Sequence, residues 1–112
     1  MNISIDFDDT YTRDPDMWNT IIAVMRAAGH KVYCVTARSP EQGLEVFSTI
    51  GRLVGADSVH FTSLHAKKAY MWSKGISIDV WIDDNPDAIT RGFLQSPSEI
   101  YENFKQNLQI NS

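Results

Sequence analysis

The stretch MNISIDFDDTYTRDPD, residues 1–16, joins an apolar run to a group of acidic residues. Residues 3–7, ISIDF, are rich in β-branched and aromatic side chains, which is typical of a buried strand. Carboxylates stand at the end of this run and just after it, at Asp6, Asp8, Asp9 and Asp14. Because like charges repel, carboxylates crowded at a strand end need a compensating positive charge. The stretch therefore predicts the first strand of the fold and a functional role for the residues that follow it.

The composition is that of a folded domain. A chain of 112 residues has room for one core, so we predict a single domain over residues 1–112. The net charge of −4 argues against a broad nucleic-acid-binding face and leaves room only for a local basic patch. The one cysteine, Cys34, excludes an internal disulfide, and its place in the apolar run KVYCVT predicts a buried thiol. Neither a membrane span nor a signal peptide is recognisable, so we predict a cytoplasmic protein with no membrane partner.

Strands and helices are predicted to alternate along the chain. After residues 3–7, strands are expected at 31–36, 58–62 and 76–83, and the signal at 58–62 is the weakest of the four. Alternating strands and helices are typical of a parallel sheet covered on both faces. We therefore predict an α/β fold, a three-layer Rossmann-like sandwich with helices on both faces. In such folds ligands bind at the carboxyl ends of the strands.

Four helices are predicted from their start signals. The first begins at Asp14, an N-cap residue, with Pro15 in the first turn. In the second helix, helical spacing places Leu44, Phe47 and Ile50 on the buried side. The second to fourth helices run from Ser39 to Leu53 or Val54, from Ala66 to Lys74, and from Ser96 onward with Ile100, Phe104 and Leu108 on one face.

Polar residues follow three of the predicted strands and begin the third helix. They are Asp6, Asp8, Asp9 and Thr10 at the end of the first strand, Thr36 and Arg38 (with Ala37 between them) at the second, Asp83 and Asp84 at the last, and Lys67 and Lys68 on the helix. In a parallel sheet they converge on one edge, where so many carboxylates could not all stay ionised without a cation. Mg²⁺, a hard cation with oxygen ligands, is the natural candidate. A lysine would neutralise further charge, and a threonine hydroxyl with exposed backbone N–H groups could bind phosphate oxygens.

This arrangement resembles the haloacid dehalogenase (HAD) superfamily. The segments ISIDFDDTYT, KVYCVT, the Lys67-Lys68 pair and VWIDDNP match the four motifs of that family in order. The resemblance extends from residue 3 to about residue 90, nearly the whole chain. Each motif alone is a weak signal, whereas four in order at strand or helix boundaries are a specific one.

The resemblance implies a Mg²⁺-dependent phosphomonoester hydrolase that forms an aspartyl-phosphate. Asp6 would be the nucleophile, and Asp8 would protonate the leaving oxygen and later deprotonate the attacking water. Thr36 would hydrogen-bond the transferred phosphoryl group, and a helix lysine would supply electrostatic stabilisation. Adjacent helical residues point about 100° apart, so only one of Lys67 and Lys68 can face the site. We prefer Lys67, because it stands three positions before Tyr70 on the expected inward side of the helix.

The resemblance also implies a metal site and a set of substrate contacts. Mg²⁺ would be held by Asp6, Asp83 and Asp84, with Asp8 contributing its backbone carbonyl. The predicted substrate-binding residues are Asp9, Thr10, Ala37, Arg38 and Lys68. Two of these have a plain alternative. Asp9 stands where many relatives carry glycine and could be a solvated turn residue, and Arg38 could be a surface arginine.

The connections between strands are too short for the cap domain that selects substrates in this superfamily. We therefore expect a capless member whose open site suits a phosphorylated small molecule, a nucleotide or a nucleic-acid end, or is covered by a second subunit in a homo-oligomer. The VTAR and IDD segments are similar to those of polynucleotide end-repair phosphatases and deoxyribonucleotidases. Two alternatives stand beside the enzyme: a non-catalytic regulatory module that binds phosphate and metal, and an acidic metal-binding domain without phosphate chemistry.

Overall fold

The computed structural model describes residues 1–92. The predicted helix from Ser96, with Ile100, Phe104 and Leu108, lies outside the described residues. The four strands are β1 (Asn2–Ile5), β2 (Lys31–Thr36), β3 (Val59–Phe61) and β4 (Val80–Ile82). The α-helices are α1 (Pro15–Ala27), α2 (Leu44–Ser48), α3 (Ile50–Val54), α4 (Lys67–Ser73) and α5 (Asp87–Thr90). Short 3₁₀ helices occupy Tyr11–Arg13, Pro40–Gln42 and Ala56–Ser58.

The strands form one parallel sheet in the order β3-β2-β1-β4. The chain passes from β1 outward through β2 to β3, then returns to the other side of β1. Crossovers between parallel strands are right-handed, so this strand order puts α1, α2 and α3 on one face and α4 on the opposite face. The α/β class and the parallel sheet are thus as predicted, and the arrangement is compatible with a three-layer Rossmann-like fold.

The core lies between the sheet and the helices of the α1 face. Ile5 and Cys34, on neighbouring strands, are fully buried, and Ile22 of α1 and Ile50 of α3 pack into the same cluster. The predicted burial of Cys34 is confirmed, and burial raises the pKa of its thiol far above the ordinary value. Within residues 1–92, no helix combines the length and the apolar character needed to cross a bilayer.

The start of α1 follows its sequence signals. The Asp14 carboxylate accepts a hydrogen bond from the backbone N–H of Met17, at 3.2 Å, and Pro15 is the first helical residue. Pro15 has no N–H that needs a partner there, and Asp14 satisfies one that does. This cap turns the chain immediately after the acidic stretch.

The predicted second helix is wrong in one respect. The Ser39 capping box is present, but it opens only the 3₁₀ helix Pro40–Gln42, and the rest of the segment divides into α2 and α3 around Thr49. The division changes which side chains face the core. Val46 is fully buried, whereas Leu44 and Phe47, both predicted to face inward, are 86% and 40% exposed. Apolar burial on both sides of the break overrides the regular helical period.

The positions of the strands are otherwise close to those predicted from the sequence. The predicted strand 76–83 is shorter than expected, because regular pairing with β1 covers only Ile3 to Ile5. In the described part of the chain, neither the β1–α1 connection nor the β2–β3 connection contains an inserted domain. The carboxyl edge of the sheet is therefore left uncovered by any cap inserted at those two positions.

Candidate functional site

Three strands end together at the carboxyl edge of the sheet. Ile5 of β1 pairs with Cys34 of β2 on one side and with Ile82 of β4 on the other. The backbone N–H of Asp6 donates to the Ile82 carbonyl at 2.9 Å, so the β1–β4 ladder extends one residue past β1. Asp6 and Asp83 therefore leave adjacent strands at the same level. Parallel pairing alone brings these two carboxylates side by side.

Lys67 joins the two carboxylates from the start of α4. Its side chain is only 2% exposed, and its Nζ lies 2.8 Å from Asp6 Oδ1 and 2.5 Å from Asp83 Oδ2. A buried ammonium is expensive unless it is paired in this way. Lys68 is exposed and lies with Ala69 and Trp72 at a separate cavity, so the structure does not bring it to the cluster. The preference for Lys67 as the inward-facing lysine is confirmed.

Asp84 completes a group of three carboxylates. One oxygen each of Asp6, Asp83 and Asp84 lie within 4.8 Å of one another. Thr10 ties Asp84 in place: its hydroxyl lies 3.1 Å from Asp84 Oδ1 and accepts a 3.1 Å bond from the Asp84 N–H. Asp83 is oriented by the backbone N–H of Asn85, at 2.9 Å. The structure thus places Thr10, a predicted substrate-binding residue, against this carboxylate group.

The crowding of this group is visible in its acid–base properties. Burial raises the pKa of Asp6 to about 7, although Lys67 opposes the shift. A hydrogen bond from Asp6, helped by Thr10, lowers the pKa of Asp84. Near neutral pH, Asp6 is thus poised between a carboxyl that donates to Asp84 and a carboxylate held by Lys67. A second cation beside Asp6 would favour the carboxylate.

Thr36 stands at the end of β2, the strand that pairs with β1. Its side chain is fully buried, and its hydroxyl accepts a 3.3 Å hydrogen bond from the Arg38 N–H. The next strand contributes Thr62, whose N–H donates to the Thr36 carbonyl at 2.9 Å. The Thr62 hydroxyl is also fully buried and has no hydrogen-bond partner among the described residues. The sequence offered no signal for Thr62 beyond its place at the end of a weak strand.

Asp8 is separated from the carboxylate group by an ion pair of its own. Arg38 Nε and Nη2 lie 2.9 and 2.8 Å from its two carboxylate oxygens, a bidentate contact. The guanidinium is also held by the Gln42 carbonyl at 3.0 Å and by the Phe7 ring, whose centroid lies 4.9 Å away. The Asp8 side chain therefore lies outside the three-carboxylate group that could hold a metal.

Asp9 occupies a left-handed turn. Its φ of 62° is a conformation that aspartate tolerates better than most residues. Its side chain is exposed, and its N–H donates to the Thr12 hydroxyl at 3.0 Å. This geometry agrees with the interpretation of Asp9 as a solvated turn residue.

Two cavities lie near the strand ends, one against Asp8 and Arg38 and the other against Asp83 and Asp84. One, of about 420 Å³, is lined by Asp8, Ala37, Arg38, Ser39, Gln42, Ser63 and Leu64. The other, of about 350 Å³, is lined by Asp9, Thr10, Arg13, Asp14, Met17, Trp18, Ile82, Asp83 and Asp84. Ser63 and Leu64 were not predicted to take part. Both have positive φ, at 50° and 67°, and nothing in their residue types signals that conformation.

A scan against models of protein families, a search of curated proteins and a search of solved structures find no match for this chain. The chemistry of the site is therefore inferred from its own residues and contacts.

Proposed function

We propose that the chain is a Mg²⁺-dependent phosphomonoester hydrolase of the HAD superfamily, with Asp6 as the nucleophile. One observation carries this proposal. The Asp6 carboxylate is buried at the end of the first strand, 2.8 Å from a buried lysine ammonium and beside two further carboxylates. A carboxylate held in this way can attack an electrophile, and it can also bind a cation together with the two neighbouring carboxylates. The order of the four sequence motifs supports the same reading.

The donor set fits a magnesium ion. Three carboxylates and one ammonium give a formal charge of −2, which a divalent cation would neutralise. Carboxylate oxygens are the ligands that Mg²⁺ prefers in proteins. Asp6, Asp83 and Asp84 would hold the ion. When bound, it would supply Lewis-acid stabilisation of the phosphoryl oxygens and favour the ionised form of Asp6.

Asp6 would react in two steps. In the first, a carboxylate oxygen forms a bond to phosphorus while the bond from phosphorus to the alcohol oxygen breaks, and the alcohol takes up a proton as it leaves. In the second, a water oxygen attacks phosphorus, the aspartyl–phosphate bond breaks, and the carboxylate is restored. Lys67 would orient Asp6 throughout and stabilise the charge on the phosphoryl oxygens, and Thr36 would donate to one of those oxygens.

Asp8 would supply the proton for the leaving alcohol and later take one from water, as the resemblance implies. In the described conformation both of its oxygens accept from Arg38. Proton transfer by Asp8 therefore requires this ion pair to open and its side chain to turn toward the alcohol oxygen. The exposed position of Asp8, with 52% of its side chain accessible, leaves it free to move.

The open edge of the sheet suggests the size of the substrate. With no cap inserted between the described strands, the site could accept a phosphorylated small molecule, a nucleotide or a nucleic-acid end. A homo-oligomer could also cover it. The regulatory-module alternative differs in one property, since such a module would bind Mg²⁺ and phosphate without turning substrate over.

Hydrolysis of an aryl phosphate tests the proposal. The native protein should release the phenol in a reaction that requires Mg²⁺, and Asp6→Asn should abolish the reaction. Asp57→Asn, a change at an exposed carboxylate outside the site, is the matched control and should retain activity. Absence of Mg²⁺-dependent turnover in the native protein, or equal turnover in Asp6→Asn, would overturn the nucleophile assignment. Mg²⁺ binding without turnover would support the regulatory module instead.

A further inference from the structure

The ion pair between Asp8 and Arg38 lies just past the carboxyl ends of β1 and β2. Asp8 follows the proposed nucleophile by two residues in the chain, and both members of the pair line the 420 Å³ cavity. Cavities of this size are typical of sites for small organic ligands. Because Asp8 is the proposed proton donor to the leaving alcohol, the alcohol part of a phosphomonoester would be bound beside this pair.

One side of the Arg38 guanidinium is held by contacts within the protein, and its other edge is paired with an exposed carboxylate that could be replaced. Nη1 donates to the Gln42 carbonyl, and the guanidinium lies against the ring of the buried Phe7. The opposite edge, formed by Nε and Nη2, faces the two oxygens of the exposed Asp8 carboxylate. If Asp8 turned away, this edge would remain in place, with Glu45 near Nη2 as its remaining side-chain partner. The fork of an arginine fits two phosphate oxygens as well as it fits a carboxylate.

The loop after β3 forms another part of the cavity wall. Ser63 and Leu64 both have left-handed backbone conformations, which are costly for residues other than glycine and concentrate at functional sites. Their N–H groups donate to the carbonyls of Arg38 and Ala37, at 3.2 and 3.0 Å. These bonds fasten the loop after β3 to the segment that carries Arg38. Among the described residues that line this cavity, Arg38 is the only cation.

We propose that the preferred substrate is a phosphomonoester that carries a second phosphate, and that this phosphate replaces Asp8 on Arg38. The inference rests on the proposed function and names its substrate class. Binding of the second phosphate would anchor the alcohol part of the substrate beside Leu64. It would also free the Asp8 side chain next to the bond that breaks. Glu45, whose oxygen lies 3.2 Å from Arg38 Nη2, is 59% exposed and can move aside.

Matched substrate pairs test the proposal. The first pair compares adenosine 3′,5′-bisphosphate, with one phosphate on each of two ribose oxygens, with adenosine 3′-monophosphate and adenosine 5′-monophosphate. The second compares a sugar bisphosphate with its monophosphates, and so separates a preference for the second phosphate from a preference for the nucleoside. The native protein should favour both bisphosphates by roughly tenfold or more in kcat/KM, mainly through KM, because charge-assisted hydrogen bonds to Arg38 are added.

Variants at Arg38 test whether the preference for bisphosphates depends on its guanidinium. Arg38→Gln should reduce the preference to about twofold or less by raising KM for the bisphosphates. Arg38→Lys keeps the charge without the fork and should retain an intermediate preference. Arg52→Gln, at an exposed arginine of α3, is the control and should retain the full preference. Equal kcat/KM for both members of each pair in the native protein, or an unchanged preference in Arg38→Gln, would overturn the proposal.

A binding measurement separates this proposal from the proposed function. Calorimetry with Asp6→Asn, which should bind without turnover, should give tighter binding of the bisphosphates than of the monophosphates, and adding Arg38→Gln should remove the difference. If the native protein hydrolyses nothing yet this difference is present, the proposed function fails and Arg38 is still a phosphate site. If hydrolysis is present and the difference is absent, only the substrate class is wrong.

Discussion

Replacing Lys67 with methionine tests the interaction that holds the site together. Methionine keeps most of the side-chain volume and removes the ammonium, leaving the Asp6 and Asp83 carboxylates without their shared partner. Removing one member of a buried ion pair costs about 3–5 kcal/mol, because the remaining charge is stranded in a poorly solvated place. Two charge-assisted hydrogen bonds, at roughly 1.5–3 kcal/mol each, lead to a similar figure.

The loss should depend on pH in a defined direction. Without Lys67, the pKa of Asp6 should move above its present value of about 7, because the ammonium lowers it now. A carboxyl whose folded pKa exceeds its unfolded pKa is tolerated below the unfolded value and loses stability as the pH rises through the folded value. At pH 5 Asp6 is largely protonated with or without Lys67, so the loss comes mainly from Asp83, about 1.5–3 kcal/mol. At pH 8 both carboxylates contribute, and the loss should reach about 3–5 kcal/mol.

Urea denaturation at pH 5 and pH 8, in the presence of a chelator, measures both values. Lys68→Met is the matched control, since it makes the same change one residue further along α4 on an exposed side chain. It should alter the free energy of unfolding by less than about 0.5 kcal/mol at either pH. The reasoning is refuted if Lys67→Met and Lys68→Met are equally stable, or if the Lys67→Met loss is the same at both pH values.

Three further outcomes are expected. Mg²⁺ affinity, measured by calorimetry, should fall as the pH is lowered below 7, by up to about tenfold for each pH unit, because a proton on Asp6 competes with the ion. A Mg²⁺ affinity that does not change with pH would contradict this. Thr36→Val should lower kcat by about a hundredfold yet cost at most about 1.5 kcal/mol of stability, with Thr36→Ser restoring activity, and an unaltered kcat would remove Thr36 from the site. Cys34 should resist a thiol reagent in the native protein and react on unfolding, whereas rapid native labelling would show that it is accessible.

Much of the fold could be predicted because its signals are local. The Asp14-Pro15 cap and the run KVYCVT each depend on a few neighbouring residues, and both elements lie where expected. The segment after Ser39 could not be predicted as well. There, burial of Val46 depends on contacts distant in sequence, which break the helix at Thr49 and turn Leu44 to solvent.

The candidate site could likewise be predicted where it depends on strand order and local signals, and not where it depends on loop conformation. Asp6 and Asp83 could be placed together because parallel strands that end in acids bring those acids to one edge. Lys67 could be chosen over Lys68 from the helical period, although the buried residue one turn later is Met71 rather than the expected Tyr70. The pairing of Asp8 with Arg38 depends on the conformations of two loops, and no sequence period describes it.

Detection of a phosphoryl group on Asp6 tests the central claim most directly. The protein is mixed with a phosphomonoester and Mg²⁺, quenched in acid during the first turnover, cleaved with trypsin and analysed by mass spectrometry. We expect one added phosphoryl group on the peptide that ends at Arg13, located at Asp6 by fragmentation and absent from Asp6→Asn. Release of phosphate by the native protein with no phosphoryl group on that peptide at any quench time would contradict the account.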